Sequence, residues 1–143
     1  MSVRETALAA LHAALRGGLT GADVKRNSEV PEAVGIGGLV ILRDGEAGEP
    51  EVCFSPPLYS FEHRASIEVY ADGKTAEARS ALLDSLLMQI GEVIEASPTL
   101  GGAAEYCSPG GPQVDALFSS AGGGLRNALV SVLLIYSTPS PLG

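Results

Sequence analysis

The amino-acid sequence has very few of the residue types that build metal centres, disulfide frameworks or aromatic cores. It contains no tryptophan, two cysteines and two histidines in 143 residues. A structural zinc site takes about four Cys, His or carboxylate ligands at close spacing, whereas Cys53, Cys107 and His63 are scattered. We therefore expect two reduced thiols, no disulfide, no metal ion and no cofactor. Aromatic residues make up only 5% of the chain, so aliphatic side chains must form the core.

Positive charge is also scarce in this sequence. The chain has 9 Lys and Arg residues against 17 Asp and Glu residues, which gives a formal net charge of −8 at pH 7. A surface of this sign repels the phosphate backbone of nucleic acids. The balance excludes a nucleic-acid-binding module, but it is compatible with a protein past which DNA slides without adhering.

Long apolar runs are absent as well. The apolar stretch at residues 128–135 is much shorter than the roughly 20 residues that a membrane-spanning helix needs. The first residues include Arg4 and Glu5 and do not have the pattern of a signal peptide. These features predict a protein that is made and used in a cytoplasm and does not contact a membrane.

Candidate catalytic groups are few. Cys53 or Cys107 with a histidine would supply a nucleophile and a base, but no neighbouring residues orient a base or build an oxyanion hole. His63 falls on the apolar face of a predicted strand, where a satisfied core or interface histidine is the expected role. Gly37 and Gly38 precede a strand and not a helix, so they do not form a phosphate-binding loop. We therefore expect no enzymatic activity.

The apolar pattern predicts one α+β domain over residues 1–143, with an antiparallel β-sheet and a projecting β-hairpin packed against two α-helices. Apolar residues recur at helical spacing over residues 2–15, where Ser2 and Glu5 fit a capping box, and over residues 75–95. Strands are predicted at residues 23–27 and 125–136. The Gly- and Pro-rich stretch 106–124 is predicted to be a loop with a short ordered piece at 114–118.

The middle of the chain predicts a hairpin followed by a long strand. Residues 39–43 are a continuous apolar run, Asp44-Gly45 is a hairpin signal, and residues 51–55 provide a return strand before Pro56-Pro57. Residues 60–70 then alternate strictly between apolar and polar side chains, as in an antiparallel strand with one buried face. We expect residues 44–59 to project from the sheet and contact another protein.

The side chains of this hairpin and strand are the candidates for a protein interface. Their acidic members are compatible both with a solvated tip and with a contact surface for a partner. The candidates are Asp44, Glu46, Glu49, Glu51, Tyr59, Glu62, Arg64 and Glu68.

The same region carries a resemblance to a known family. The matching segments are RNSEVPEAVGIGGLVILRDGEAGEPEV at residues 26–52, SPPLY at 55–59, FEHRA at 61–65 and Glu68-Val69. They resemble small tail-completion proteins of siphophages and of the related gene transfer agents of alphaproteobacteria. The predicted order of helix, hairpin, long strand, long helix and final strand extends this resemblance to the lambda-type tail terminator over nearly the whole chain.

The resemblance implies a specific assembly. Tail terminators form a hexameric ring on the head-proximal end of the tail tube, where the ring stops tube polymerisation and then meets the head side. The implied partners are five further copies of the chain, the major tail tube protein and the head-side connector or stopper protein. DNA would pass through the lumen without specific binding. The implied location is the tail neck of a virion that is assembled in the cytoplasm of a bacterial host.

Other functions stay open at this point. A stopper or a tail-tube subunit would be another structural protein of the same particle. A small thiol-dependent enzyme would use Cys53 or Cys107, and a ligand-binding α+β domain would need a pocket that the sequence does not identify. The sequence also does not distinguish a phage from a gene transfer agent.

Overall fold

The fold is a six-stranded β-sheet with two α-helices packed against one face, and a computed structural model describes it for residues 1–30, 33–117 and 125–143. This architecture confirms the predicted α+β class. Among the described residues, no helix is long and apolar enough to cross a membrane. The elements are α1 (Val3–Gly18), β1 (Asp23–Arg26), β2 (Leu39–Glu46), β3 (Glu51–Cys53), β4 (Leu58–Ala71), α2 (Ala76–Ala96), a 3₁₀ turn (Leu100–Gly102), β5 (Tyr106–Val114) and β6 (Arg126–Thr138).

The sheet was predicted to be antiparallel, but it is mixed. Its strand order is β1-β2-β4-β6-β5, with β3 paired to β4. All pairs are antiparallel except β1 and β2, which run parallel with Asp23 beside Leu39 and Arg26 beside Leu42. The pair is parallel because β1 and β2 begin at the same end of the sheet, where the Asp23 N–H donates to the Gly38 carbonyl at 3.0 Å.

One face of the sheet and both helices enclose the main core. The alternation predicted for β4 is confirmed, because Phe61, Ala65, Ile67 and Val69 are at most 4% exposed. The helices contribute their own buried stripes, and each fully buried Leu or Ile stabilises the fold by about 1.5–3 kcal/mol. These stripes are Ala7, Leu8, Leu11 and Leu15 of α1, and Leu83, Leu86, Ile90 and Ile94 of α2.

Side-chain caps begin both helices, and the cap at Ser2 confirms the prediction for α1. The Ser2 hydroxyl accepts the Glu5 N–H at 3.0 Å, and the Thr75 hydroxyl accepts the Ala78 N–H at 3.0 Å. The capping box is only half formed, because the Glu5 carboxylate bonds to Arg26. Helix α1 also continues to Gly18, past its predicted end.

The hairpin is longer than predicted, and its turn lies elsewhere. Strand β6 occupies one edge of β4 from Tyr59 to Ala71, so β2 and β3 share the other edge. Leu39 lies opposite Tyr70, and Cys53 lies opposite Leu58. Residues 39–71 therefore form one hairpin that turns at residues 54–57. The prediction of a turn at Asp44-Gly45 and of a separate projecting arm at 44–59 is wrong, since half of that segment lies in strands of the sheet and the chain turns at 54–57.

Asp44-Gly45 occupies a β-bulge instead of a turn. From Arg43 to Glu46 the chain advances three residues, while β4 opposite advances only two, from Ser66 to Arg64. One extra residue is therefore accommodated on β2, as in bulges that bend a strand and increase its twist. Gly45 has φ +66, a conformation that suits glycine in a bulge as well as in a hairpin turn.

Strand β5 occupies residues 106–114 of the stretch 106–124 that was predicted to be a loop. It pairs with β6 despite Pro109 and Pro112, with a register shift between the two prolines. Proline lacks an N–H, which a strand at the edge of a sheet can tolerate. Of the predicted ordered piece at 114–118, Val114 ends β5, and residues 118–124 lie outside the described part of the chain.

A small second cluster lies on the helix-free face of the sheet. Leu39, Ile41 and Tyr70 are at most 2% exposed there and pack with Val34, Leu117 and Leu125. The alternation over residues 60–70 predicts that Tyr70 lies on the polar face of β4. That face is covered at this end because the segments around Val34 and Leu117 fold over it.

The bulge provides a stability test with a matched control. A Cβ at Gly45 would collide with the carbonyl oxygen of Arg64, whereas a Cβ at Gly48, which has φ +70, meets no atom within 4 Å. Gly48→Ala should lower the free energy of unfolding by about 1 kcal/mol from backbone strain alone. Gly45→Ala should lower it by about 3 kcal/mol or more, measured by urea denaturation. Equal losses in both variants would contradict the bulge geometry.

Candidate protein interface

The eight candidate residues lie along the long hairpin, but the structure divides them by role. Asp44 and Glu68 form ion pairs within the chain, and Tyr59 is half-buried against the main core. Glu49, Glu51 and Glu62 line one depression, and Glu46 and Arg64 are exposed and opposite each other in register. Five of the eight thus remain on the accessible surface of the hairpin.

Asp44 is held inside the fold by Arg26. The Arg26 guanidinium donates to both carboxylate oxygens of Asp44, at 2.8 and 3.0 Å, and to both of Glu5, each at 2.8 Å. Its hydrogen bonds lower the pKa of both carboxyl groups, and the pKa of Arg26 itself is raised. This arrangement joins α1, β1 and β2. Asp44 is therefore a structural residue, in contrast to its predicted role as an interface contact.

Glu68 is also engaged within the chain. Burial raises its pKa, but hydrogen bonds from Arg43 at 2.9 Å and from the Tyr70 hydroxyl at 2.6 Å bring the pKa below its ordinary value. Its side chain is only 15% exposed. Like Asp44, Glu68 has a structural role within the chain, and its contact with a partner stays a prediction. Both residues find partners that are distant in sequence.

Three of the other carboxylates form an acidic depression on the helix-free face of the sheet. Glu49 and Glu51 approach from the β2–β3 side, and Glu62 from β4, around a volume of about 350 Å³. Pro50, Ser60 and Ile135 complete the lining. Three carboxylates this close together suit a basic surface of a partner protein.

The turn of the hairpin was not among the predicted interface residues, which are seven charged residues and Tyr59. Residues 51–58, which we name the hairpin tip, are all exposed, and the side chain of Phe54 is 80% exposed. Val52 and Leu58 are 38% and 43% exposed. A phenylalanine next to Ser-Pro-Pro was the signal available in the sequence, because large apolar residues are uncommon in solvated turns.

His63 is a satisfied core histidine, as predicted. It is 1% exposed, and its Nδ1 lies 2.8 Å from the Tyr136 hydroxyl. Its Nε2 bonds to the backbone carbonyl of Asp44, which can only accept. Neutral His63 therefore carries its proton on Nε2 and accepts the Tyr136 O–H at Nδ1.

The two cysteines are separate from each other and from this histidine. Cys107 is buried, and burial raises its pKa to about 11, so it is a poor nucleophile at neutral pH. Leu134 lies between Cys107 and His63 in register, which places them two strands, about 10 Å, apart. Cys53 is exposed at the hairpin tip. Among the described residues, no group of three or more His, Cys, Asp or Glu could hold a metal ion.

The division of the candidates predicts different effects on stability. Asp44→Asn should lower the free energy of unfolding by about 1–2 kcal/mol, because it weakens charge-assisted hydrogen bonds to Arg26 in a partly exposed site. Glu62→Gln, at an exposed position, should change it by less than about 0.5 kcal/mol. Urea denaturation measures both. A larger loss for Glu62→Gln than for Asp44→Asn would contradict the division.

The lowered pKa values also predict how stability depends on pH. Between the lowered and the ordinary pKa of Glu5, Asp44 and Glu68, the unfolded chain binds more protons than the folded chain, so stability rises with pH. Their contribution should be complete above about pH 4.5 and lost as the pH falls through the folded-state values. Arg26→Met should flatten this dependence in unfolding measurements.

The control for the pH series is Lys74→Met, which removes a positive charge at an exposed position away from these carboxylates. It should retain the wild-type slope of unfolding free energy against pH. An identical slope in wild type and Arg26→Met would show that the Arg26 ion pairs do not cause the acid sensitivity.

Comparison with known proteins adds no relative to this description. No model of a known protein family matches the chain, and no curated protein was found to be similar to it. A proposal for its function therefore depends on the residues and geometry of the chain itself.

Proposed function

We propose that this protein is a structural subunit of a phage or gene transfer agent particle, without enzymatic activity. Six copies would form a ring in the tail neck, on the head-proximal end of the tail tube. The ring would end tube polymerisation and join the tail to the head-side connector. The resemblance of residues 26–69 to tail-completion proteins supports this proposal.

The observation that carries the proposal is the exposed hairpin tip. Apolar side chains on a protein surface are common singly, but clustered ones mark contacts with other molecules. Here Val52, Phe54 and Leu58 are exposed together at the end of a hairpin that hydrogen bonds hold along its length. The acidic depression lies directly beside them. Such a combination of an apolar end and a charged flank suits a protein partner.

The charge of the chain fits a channel for DNA. Six copies, each with −8, carry a formal charge of about −48. A lumen with this sign repels phosphate groups, so DNA would move through it without adhering. The same charge favours contacts with basic surfaces of the tube protein or connector.

The ring proposal is tested with the purified protein and isolated tail tubes. Native mass spectrometry and negative-stain imaging should show rings of six copies, and the rings should bind one end of each tube. Particles that lack the protein should contain tubes of uncontrolled length. A strict monomer that binds no tube at any concentration would contradict the proposal.

Two other outcomes identify the alternatives. Polymerisation of the purified protein into long tubes would indicate a tube subunit, and tubes of normal length that fail to join heads would indicate a stopper. A double variant, Cys53→Ala and Cys107→Ala, should still complete infectious or gene-transferring particles. Loss of particle activity with rings intact would instead favour thiol chemistry.

A further inference from the structure

Two exposed apolar features lie at opposite ends of the sheet. Apart from residues near the chain ends, Ile36 and Phe54 are the most exposed large apolar side chains that the structure describes, at 99% and 80%. Phe54 belongs to the hairpin tip. Ile36 borders an apolar cleft between the segment before β2 and the first turns of α2, which we name the α2 cleft. Its lining includes Val34, Ile36, Gly73, Lys74, Ala78 and Leu82.

The α2 cleft has the size and lining to take apolar side chains. Its volume is about 530 Å³, within the range of roughly 300–1,000 Å³ that is typical of binding pockets. Val34, Ala78 and Leu82 provide an apolar wall. A Phe and a Leu side chain together fit this space.

A chain cannot fill its own α2 cleft with its own tip. The tip precedes β4, and the cleft residues Asp72–Lys74 directly follow it. The 14 residues of β4 span roughly 43 Å at about 3.3 Å per residue. Pairing with β6 from Tyr59 to Ala71 prevents β4 from folding back. Any tip that enters the cleft must therefore come from another molecule.

The charges beside the two features are complementary. Exposed Glu51 belongs to the tip and exposed Glu49 lies just before it, whereas Lys74 borders the cleft and the Arg79 guanidinium lies beside it, donating to the Gly73 carbonyl at 3.0 Å. The N-terminus of α2 adds partial positive charge. Two carboxylates also lie at this end of α2: Asp72, which accepts the Gly73 N–H at 2.8 Å, and Glu77, which the helix N-terminus stabilises in the first turn.

We propose that the hairpin tip of one copy inserts into the α2 cleft of the next copy, with Phe54 as the anchor. The contact is head-to-tail, so each copy offers one tip and one cleft, and a suitable rotation between copies closes a ring. This inference rests on the self-association that the proposed function requires. It assigns that association to a named pair of surfaces.

Cysteine cross-linking tests the contact with the native thiol of the tip. Ala78→Cys places a thiol in the α2 cleft at an exposed position, within reach of Cys53 of a neighbouring copy. Mild oxidation should give covalent dimers and higher multimers that reduction reverses. Cys107 should not compete, because it is 2% exposed and its pKa is raised. Addition of Cys53→Ser should abolish the cross-link.

Met88→Cys is the matched control for this experiment. Met88 is exposed on the same helix, ten residues or about 15 Å along its axis from Ala78. It should cross-link with Cys53 much less than Ala78→Cys does. Equal yields from both positions would show random collision and overturn the proposal.

Removal of the anchor side chain provides a second readout. Phe54→Ala should weaken self-association by about 30-fold or more in dissociation constant, as expected for a buried aromatic anchor. Met88→Ala, which also removes an exposed apolar side chain, should leave it unchanged. Sedimentation over a concentration series measures both. Phe54→Ala rings that persist but no longer bind tubes would overturn the proposal and assign the tip to the tube protein.

The outcomes separate this contact from the ring itself. If the wild-type chain forms rings but the Ala78→Cys variant gives no cross-link to Cys53, the contact is overturned and the proposed function stands. Cross-linked rings that do not cap tail tubes would support the contact and overturn the function. A wild-type chain that stays monomeric at every concentration would overturn both.

Discussion

The far half of the hairpin depends on how the chain holds Asp44. Every polar group of this residue has a partner: Arg26 binds the carboxylate, Asn27 accepts the backbone N–H at 3.0 Å, and His63 donates to the carbonyl. These partners come from the end of β1, the residue after it and the centre of β4. The bulge at Asp44-Gly45 is thereby fixed from three directions, and it determines the direction in which the following residues leave β2.

The same interaction connects the bulge to the core and to α1. His63 hydrogen-bonds to both the Asp44 carbonyl and the Tyr136 hydroxyl on β6. The centre of the Tyr136 ring lies 5.5 Å from that of the Phe61 ring. On the other side, Arg26 extends the connection to Glu5. The buried pair of His63 and Tyr136 is stabilising only while each member keeps its partner. The hairpin tip is thus positioned by a network that reaches Glu5 on α1 and Tyr136 on β6.

The sequence predicted the faces of β4 well because strict alternation has only one solution when one side of the sheet is covered. It predicted both helices from the spacing of apolar residues, and α1 also from its cap at Ser2. It did not reveal the ion pairs of Asp44 and Glu68, because their partners Arg26 and Arg43 lie 18 and 25 residues away. It failed for the turn because Asp-Gly suits a bulge as well as a hairpin, and for β5 because edge strands accept proline. The apolar tip was not predicted because the exposure of Phe54 depends on where the hairpin turns.

Copies of a chain with a net charge of −8 repel one another, so any self-association must overcome this repulsion locally. At about 0.1 M salt, charges more than about 10 Å apart are largely screened. The free energy of a contact between two copies then depends mainly on the side chains that lie within about 10 Å of it. At the hairpin tip this is apolar surface with Glu51, and at the α2 cleft it is apolar surface with Lys74 and Asp72 on its border. In the proposed head-to-tail contact Lys74 would face a carboxylate, whereas a contact between two tips would bring only carboxylates together. The charges nearest the two surfaces therefore suit the proposed directional contact better than a contact between two tips.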